Sequence, residues 1–232
     1  MSNLIIPLKY NILPDYSSIK NILLVDDKVK SYNEFVDNCN SLTFPIVYNY
    51  NSSSQELVNF LTTNFASVDR LCFVFDGSSI ATNKPFVDNK PFFTNNDLKE
   101  SNLENMSDNF KLIVNLCTQF KIQNLDFLAC NSLKYKKWID YYNLVISHTK
   151  TNTNNKGVTI GASDNKTGNV KYGGDWILES TGEYIQPVYF TNGIDKYHFT
   201  LLNGTIQGTG IAYVRMSGPE YQYQFNSTSD NG

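Results

Sequence analysis

The sequence predicts an α/β fold built on a parallel sheet with helices on both faces. Three observations predict it. Short apolar runs of strand length alternate with segments whose apolar residues recur at helical spacing, from about residue 21 to residue 161. The run at 70–75, Arg-Leu-Cys-Phe-Val-Phe, is nearly continuous in apolar residues, as suits a strand covered on both faces. Each strand candidate is separated from the next by a helix-length segment, and parallel neighbours need such crossovers.

Residues 1–20, with Pro7 and Pro14, read as an extended arm before a domain spanning 21–200. The strand at 21–25 ends in Asp26 and Asp27. A short helix follows at 31–39, with Ser31 and Glu34 in capping-box spacing. Residues 44–50 are β-branched and aromatic and predict a second strand. Ser53 or Ser54 caps the next helix, whose apolar face is Leu57, Val58, Phe60, Leu61 and Phe65. After the strand at 70–75, residues 81–100 hold two prolines and predict an excursion with a small hairpin near Phe92 and Phe93. The helix at 107–120 has Phe110, Ile113, Val114, Cys117 and Phe120 on one face, and a strand follows it directly. Residues 135–147 predict another helix, ending at His148, and 157–161 a further strand. Two short strands with tight turns are expected over 169–185, closing one edge of the sheet. Residues 201–232 are rich in Gly, Thr, Ser and Tyr and form a β-rich tail, either packed on the main domain or opening a second module.

Composition narrows the function. Of the 232 residues, 41% are apolar and 14% aromatic, enough for a sizeable core. A net charge of −3 without long charge runs carries no nucleic-acid footprint. No segment approaches the length of a membrane span, and the N-terminus lacks the basic and apolar regions of a signal peptide. Four cysteines at irregular spacing and two histidines match neither a metal pattern nor a dense disulfide framework, so no metal, no cofactor and reduced thiols are expected.

The chain's organising stretch is Leu-Asp-Phe-Leu-Ala-Cys-Asn at 125–131, a buried strand that delivers Cys130 to its end. In open parallel sheets, chemistry sits outside the carboxyl ends of the strands. Cys130 therefore stands where a nucleophile would, but free cysteine is among the most buried residue types and this stretch alone favours a small apolar core residue.

Farther along, Gly-Ala-Ser-Asp-Asn-Lys-Thr-Gly at 161–168 is followed by Gly-Gly-Asp-Trp-Ile-Leu-Glu at 173–179 and Thr-Gly at 181–182. This pattern resembles an uncharacterised domain found near the N-termini of long bacterial surface and cadherin-repeat proteins. That domain is similar to caspase- and gingipain-type cysteine peptidases. The resemblance implies a caspase-like three-layer αβα sandwich, with a presumed dyad on two strand ends, Ser-His-Gly and Gly-Cys-Asn. Cys130 falls on the nucleophile position. The histidine position is held by Asp76.

That replacement argues against peptidase chemistry. A cysteine nucleophile works as thiolate, and an imidazole both takes its proton and stabilises the anion. An aspartate adds negative charge beside the thiol and disfavours thiolate. His148 is carried roughly 20 Å off by its helix, at about 1.5 Å per residue, and His198 lies at the domain's end. The expectation is a pseudo-peptidase scaffold: a structural or protein-interaction module that works through protein partners or self-association. The resemblance further implies a surface- or particle-associated protein. An active or self-cleaving peptidase using Cys130 is the alternative, and a glycan-binding module centred on the tail is a third.

Overall fold

In the computed structural model, residues 4–7, 15–49, 51–75, 108–150 and 156–201 are described. Asp76, the excursion with its hairpin at Phe92 and Phe93, and the tail from 202 lie outside them.

Five strands form one parallel sheet: β1 (Asn21–Asp26), β2 (Thr43–Tyr48), β3 (Arg70–Val74), β4 (Asn124–Leu128) and β5 (Thr159–Gly161), in the order β2-β1-β3-β4-β5. β1 and β2 are buried along their whole length, which is why the residues between their polar ends read as apolar runs. Helices α1 (Tyr32–Asp37), α2 (Ser54–Asn64), α3 (Asp108–Gln119) and α4 (Lys136–His148) lie in the segments between the strands. The path steps from β1 to β2 with α1 on one face, then reverses past β1 to β3 with α2 on the other. A change of face on reversal is what right-handed crossovers require.

Alternation along each strand sorts the side chains into two cores. Leu71, Phe73, Phe75, Leu125, Phe127 and Ala129 meet α2, α3 and α4 through Leu57, Leu61, Phe110, Ile113, Trp138, Tyr141 and Val145. Phe127 is central there, its ring 4.8 Å from Tyr142 and 5.8 Å from Phe73. Cys72, Val74, Leu128 and Cys130 face the opposite side. That second core is closed by α1 and by the C-terminal layer: a hairpin of β6 (Ile177–Leu178) and β7 (Glu183–Tyr184), helix α5 (Gln186–Tyr189) and a helical turn at Asn192–Lys196. Trp176, fully buried, packs its ring against Phe35 and Phe190.

Two local expectations differ from the structure. Ser31 sits in the left-handed region (φ 53°) and its side chain makes no capping bond. A side-chain cap needs an extended N-cap residue, so the capping box forms instead at Ser53 and Glu56, where φ and ψ are −98° and 151°. Among the described residues the β6–β7 hairpin pairs only with itself, Ile177 opposite Tyr184, and covers a face of the sheet. Its turn residue Ser180 bonds to the edge: its amide donates to Ala162 O (3.1 Å), its hydroxyl donates to Ile160 O (2.8 Å) and accepts from Ala162 N (2.8 Å). At the other edge Ile5 of the arm pairs antiparallel with Val47.

Candidate functional site

Three residues past β4, the chain turns at Asn131 (φ 60°) into a helical turn at Ser132–Lys134. Cys130 stands at that turn, at the carboxyl end of the sheet. It is completely buried. Its thiol donates to Thr167 O at 3.7 Å, and the Thr167 hydroxyl donates to Ala129 O at 3.4 Å. The segment 163–167 thus lies across the strand end, tied down further by Asn131 N to Asn165 O (2.7 Å) and Leu133 N to Ser163 O (3.0 Å).

The two sequence boxes are halves of one fastening. Glu179 accepts from the Ser163 hydroxyl (2.7 Å), Asp164 N (3.1 Å) and Asn165 Nδ2 (2.7 Å). Asp175 accepts from Asn165 Nδ2 (3.0 Å) through one carboxylate oxygen and from Ile177 N (3.0 Å) through the other. The backbones of Gly168 and Asp175 are joined as well, Gly168 N donating to Asp175 O at 2.8 Å. Gly174 is needed for this approach, since a Cβ there would stand 2.9 Å from the Gly168 carbonyl carbon. Trp176 then drives the box into the core. The side chains that gave the pattern its character seal the strand end.

Neither histidine is placed with the thiol. The half-buried His148 ring meets Phe110 edge-on at 5.8 Å, and Phe110 belongs to the core on the other face of the sheet. His198 is exposed and packs on Tyr172 at 5.6 Å. All four cysteines are buried and in the thiol form. Burial raises the Cys117 thiol to about 12 and the Cys72 thiol well above its ordinary value.

Sequence reasoning missed a second cluster on the same face. Asp126, inside β4, is fully buried and accepts from Arg70 Nε (3.0 Å) and from the Tyr189 hydroxyl. Arg70 also grips Glu183 of β7 with two parallel bonds, Nη1 to Oε1 at 2.9 Å and Nη2 to Oε2 at 2.6 Å. The register sets Cys72 opposite Asp126 and Asp126 opposite Gly161, so Arg70 at the start of β3 reaches diagonally across. Burial raises the Asp126 carboxyl, with Arg70 and Tyr189 pulling it back. Burial opposes the Arg70 charge, yet Glu183 and Asp126 hold the guanidinium protonated above its usual value. Tyr189 is raised by burial and by Asp126. The signal was available: a carboxylate between Leu125 and Phe127, in a doubly covered strand, has to find a partner.

Among the described residues, no group of three His, Cys, Asp or Glu side chains is arranged to hold a metal ion, and no helix is long and apolar enough to cross a membrane. No curated protein and no solved structure matches the chain. The DUF4347 family model, described as a domain of unknown function, matches residues 22–201, and the chain belongs to that family.

Proposed function

We propose that this chain is a non-enzymatic structural or protein-interaction module with a caspase-like, pseudo-peptidase scaffold, part of a larger surface- or particle-associated assembly. One observation carries the reading: Cys130, on the resembled nucleophile position, is completely buried under the Thr167 segment that the family boxes hold in place. A thiol must reach a substrate carbonyl to attack it, and this one is spent on a backbone carbonyl. Asp76 on the histidine position supports the same reading, because a carboxylate cannot take over the imidazole's work. The surface or particle setting rests on the resemblance alone, an argument by analogy of fold.

Incubating the full chain at neutral pH and following intact mass together with sedimentation velocity tests the proposal. Mass should stay constant, and sedimentation should show concentration-dependent self-association or recruitment of an added assembly partner. A discrete cleavage product that disappears in Cys130→Ala would replace this reading with a self-cleaving peptidase.

A further inference from the structure

The buried cluster beneath the hairpin does not balance in charge. Arg70 brings one positive charge, and both Asp126 and Glu183 are ion-paired to it. The groups facing Asp126 are Arg70 and Cys72 from β3, Tyr189 from α5 and Glu183 from β7. None supplies a second cation. The bonding at Asp126 is lopsided as well. Arg70 Nε, Arg70 Nη2 and the Tyr189 hydroxyl all converge on Oδ2. Oδ1 receives no hydrogen bond from any described residue. It is pressed against Gly161, where a Cβ would stand only 2.1 Å from it, with Leu178 alongside.

A buried carboxylate oxygen without a donor is costly, and so is an uncompensated negative charge. Two carboxylates sharing one cation relieve that cost by holding a proton, which goes to the more deeply buried of the two. Glu183 is a third exposed and Asp126 not at all. We propose that Asp126 carries a proton on Oδ1 in the folded protein, so that Arg70, Asp126, Tyr189 and Glu183 form a proton-linked clasp fastening β7 and α5 to the sheet. Oδ2 stays the acceptor for Arg70 and Tyr189, and Glu183 alone keeps the full ion pair. The clasp is strongest with the proton in place and weakens as rising pH removes it.

The sign follows from linkage. A carboxyl that binds its proton more tightly folded than unfolded adds stability that is complete below the unfolded pKa, about 3.9. That stability is lost as pH rises to the folded midpoint, and the unfolding constant grows by up to about tenfold per pH unit in between. The test follows the Asp126 side-chain carboxyl by carbon-13 NMR in the intact chain and compares urea unfolding of wild type with Asp126→Asn from pH 4 to pH 8. The Asp126 resonance should titrate above the ordinary aspartate value. The unfolding constant of wild type relative to the variant should rise with pH and level off past that midpoint. If Asp126→Asn does not fold, the NMR titration decides alone. An Asp126 resonance that stays ionised down to acid unfolding, or a stability difference between the two proteins that does not change with pH, overturns the clasp.

Discussion

Asp126 and Gly161 face each other across two parallel strands, and each constrains the other. The carboxylate occupies the space a side chain at 161 would need, with 2.1 Å to Oδ1 and 2.6 Å to the Leu178 methyl. Gly161→Ala should destabilise by about 1–3 kcal/mol, the usual cost of overpacking a filled core, measured by urea unfolding. At Arg70 the arithmetic is different. Its removal strips Asp126 Oδ2 of both guanidinium donors and Glu183 of its cation, and hydrogen bonds to a charged group contribute about 1.5–3 kcal/mol each. Glu183→Gln should cost about 1 kcal/mol or less, because that carboxylate is a third exposed and partly screened. A Glu183 effect as large as that of Arg70→Ala would contradict the ranking. Of this cluster the sequence displayed only an isolated Asp in an apolar run. Its partners lie 56 and 63 residues away, a distance that periodicity does not span.

Among the elements, helix caps make a matched pair. Ser53 Oγ accepts from Glu56 N at 3.1 Å, and the Glu56 carboxylate accepts in return from Ser53 N at 2.9 Å. Ser53→Ala should therefore cost about 1 kcal/mol. Ser31 has the same spacing to Glu34 but makes no such bond, so Ser31→Ala should stay within about 0.5 kcal/mol of wild type. Paired urea titrations check both, and equal losses would refute the distinction. The spacing alone could not separate the two sites, because capping depends on the backbone angles of the first residue. The strands were more legible. A doubly buried strand needs apolar side chains on both faces, and β1 and β3 show nothing else between their ends except Cys72. The hairpin was legible as two strands and a turn. Its placement over a face came from Trp176 and Arg70, long-range anchors that local pattern does not announce.

For the molecule as a whole, one layer decides what the strand ends can do. Residues 163–201 cover the face that carries Cys72, Asp126, Leu128 and Cys130, held by Trp176 in the core, by the Glu179 and Asp175 bonds at the loop and by Arg70 below. Trp176→Ala should cost about 3–5 kcal/mol and should expose Cys130 along with the rest of that core, as amide exchange across 163–168 would reveal. A variant with that loss of stability but an unchanged 163–168 segment would show that the layer is not one unit. Cys130 itself was legible as a strand-end thiol, and its two readings, nucleophile or core residue, could not be separated without the segment that covers it.

The most direct measurement is the alkylation rate of each cysteine by iodoacetamide in the native chain at neutral pH, read by peptide mass spectrometry. Burial under Thr167 predicts that Cys130 reacts no faster than Cys39, Cys72 and Cys117, and that it labels only as the protein unfolds. A Cys130 that reacts far faster than the other three, with a rate profile placing its thiol clearly below about 8, would contradict the sealed strand end and return the site to chemistry.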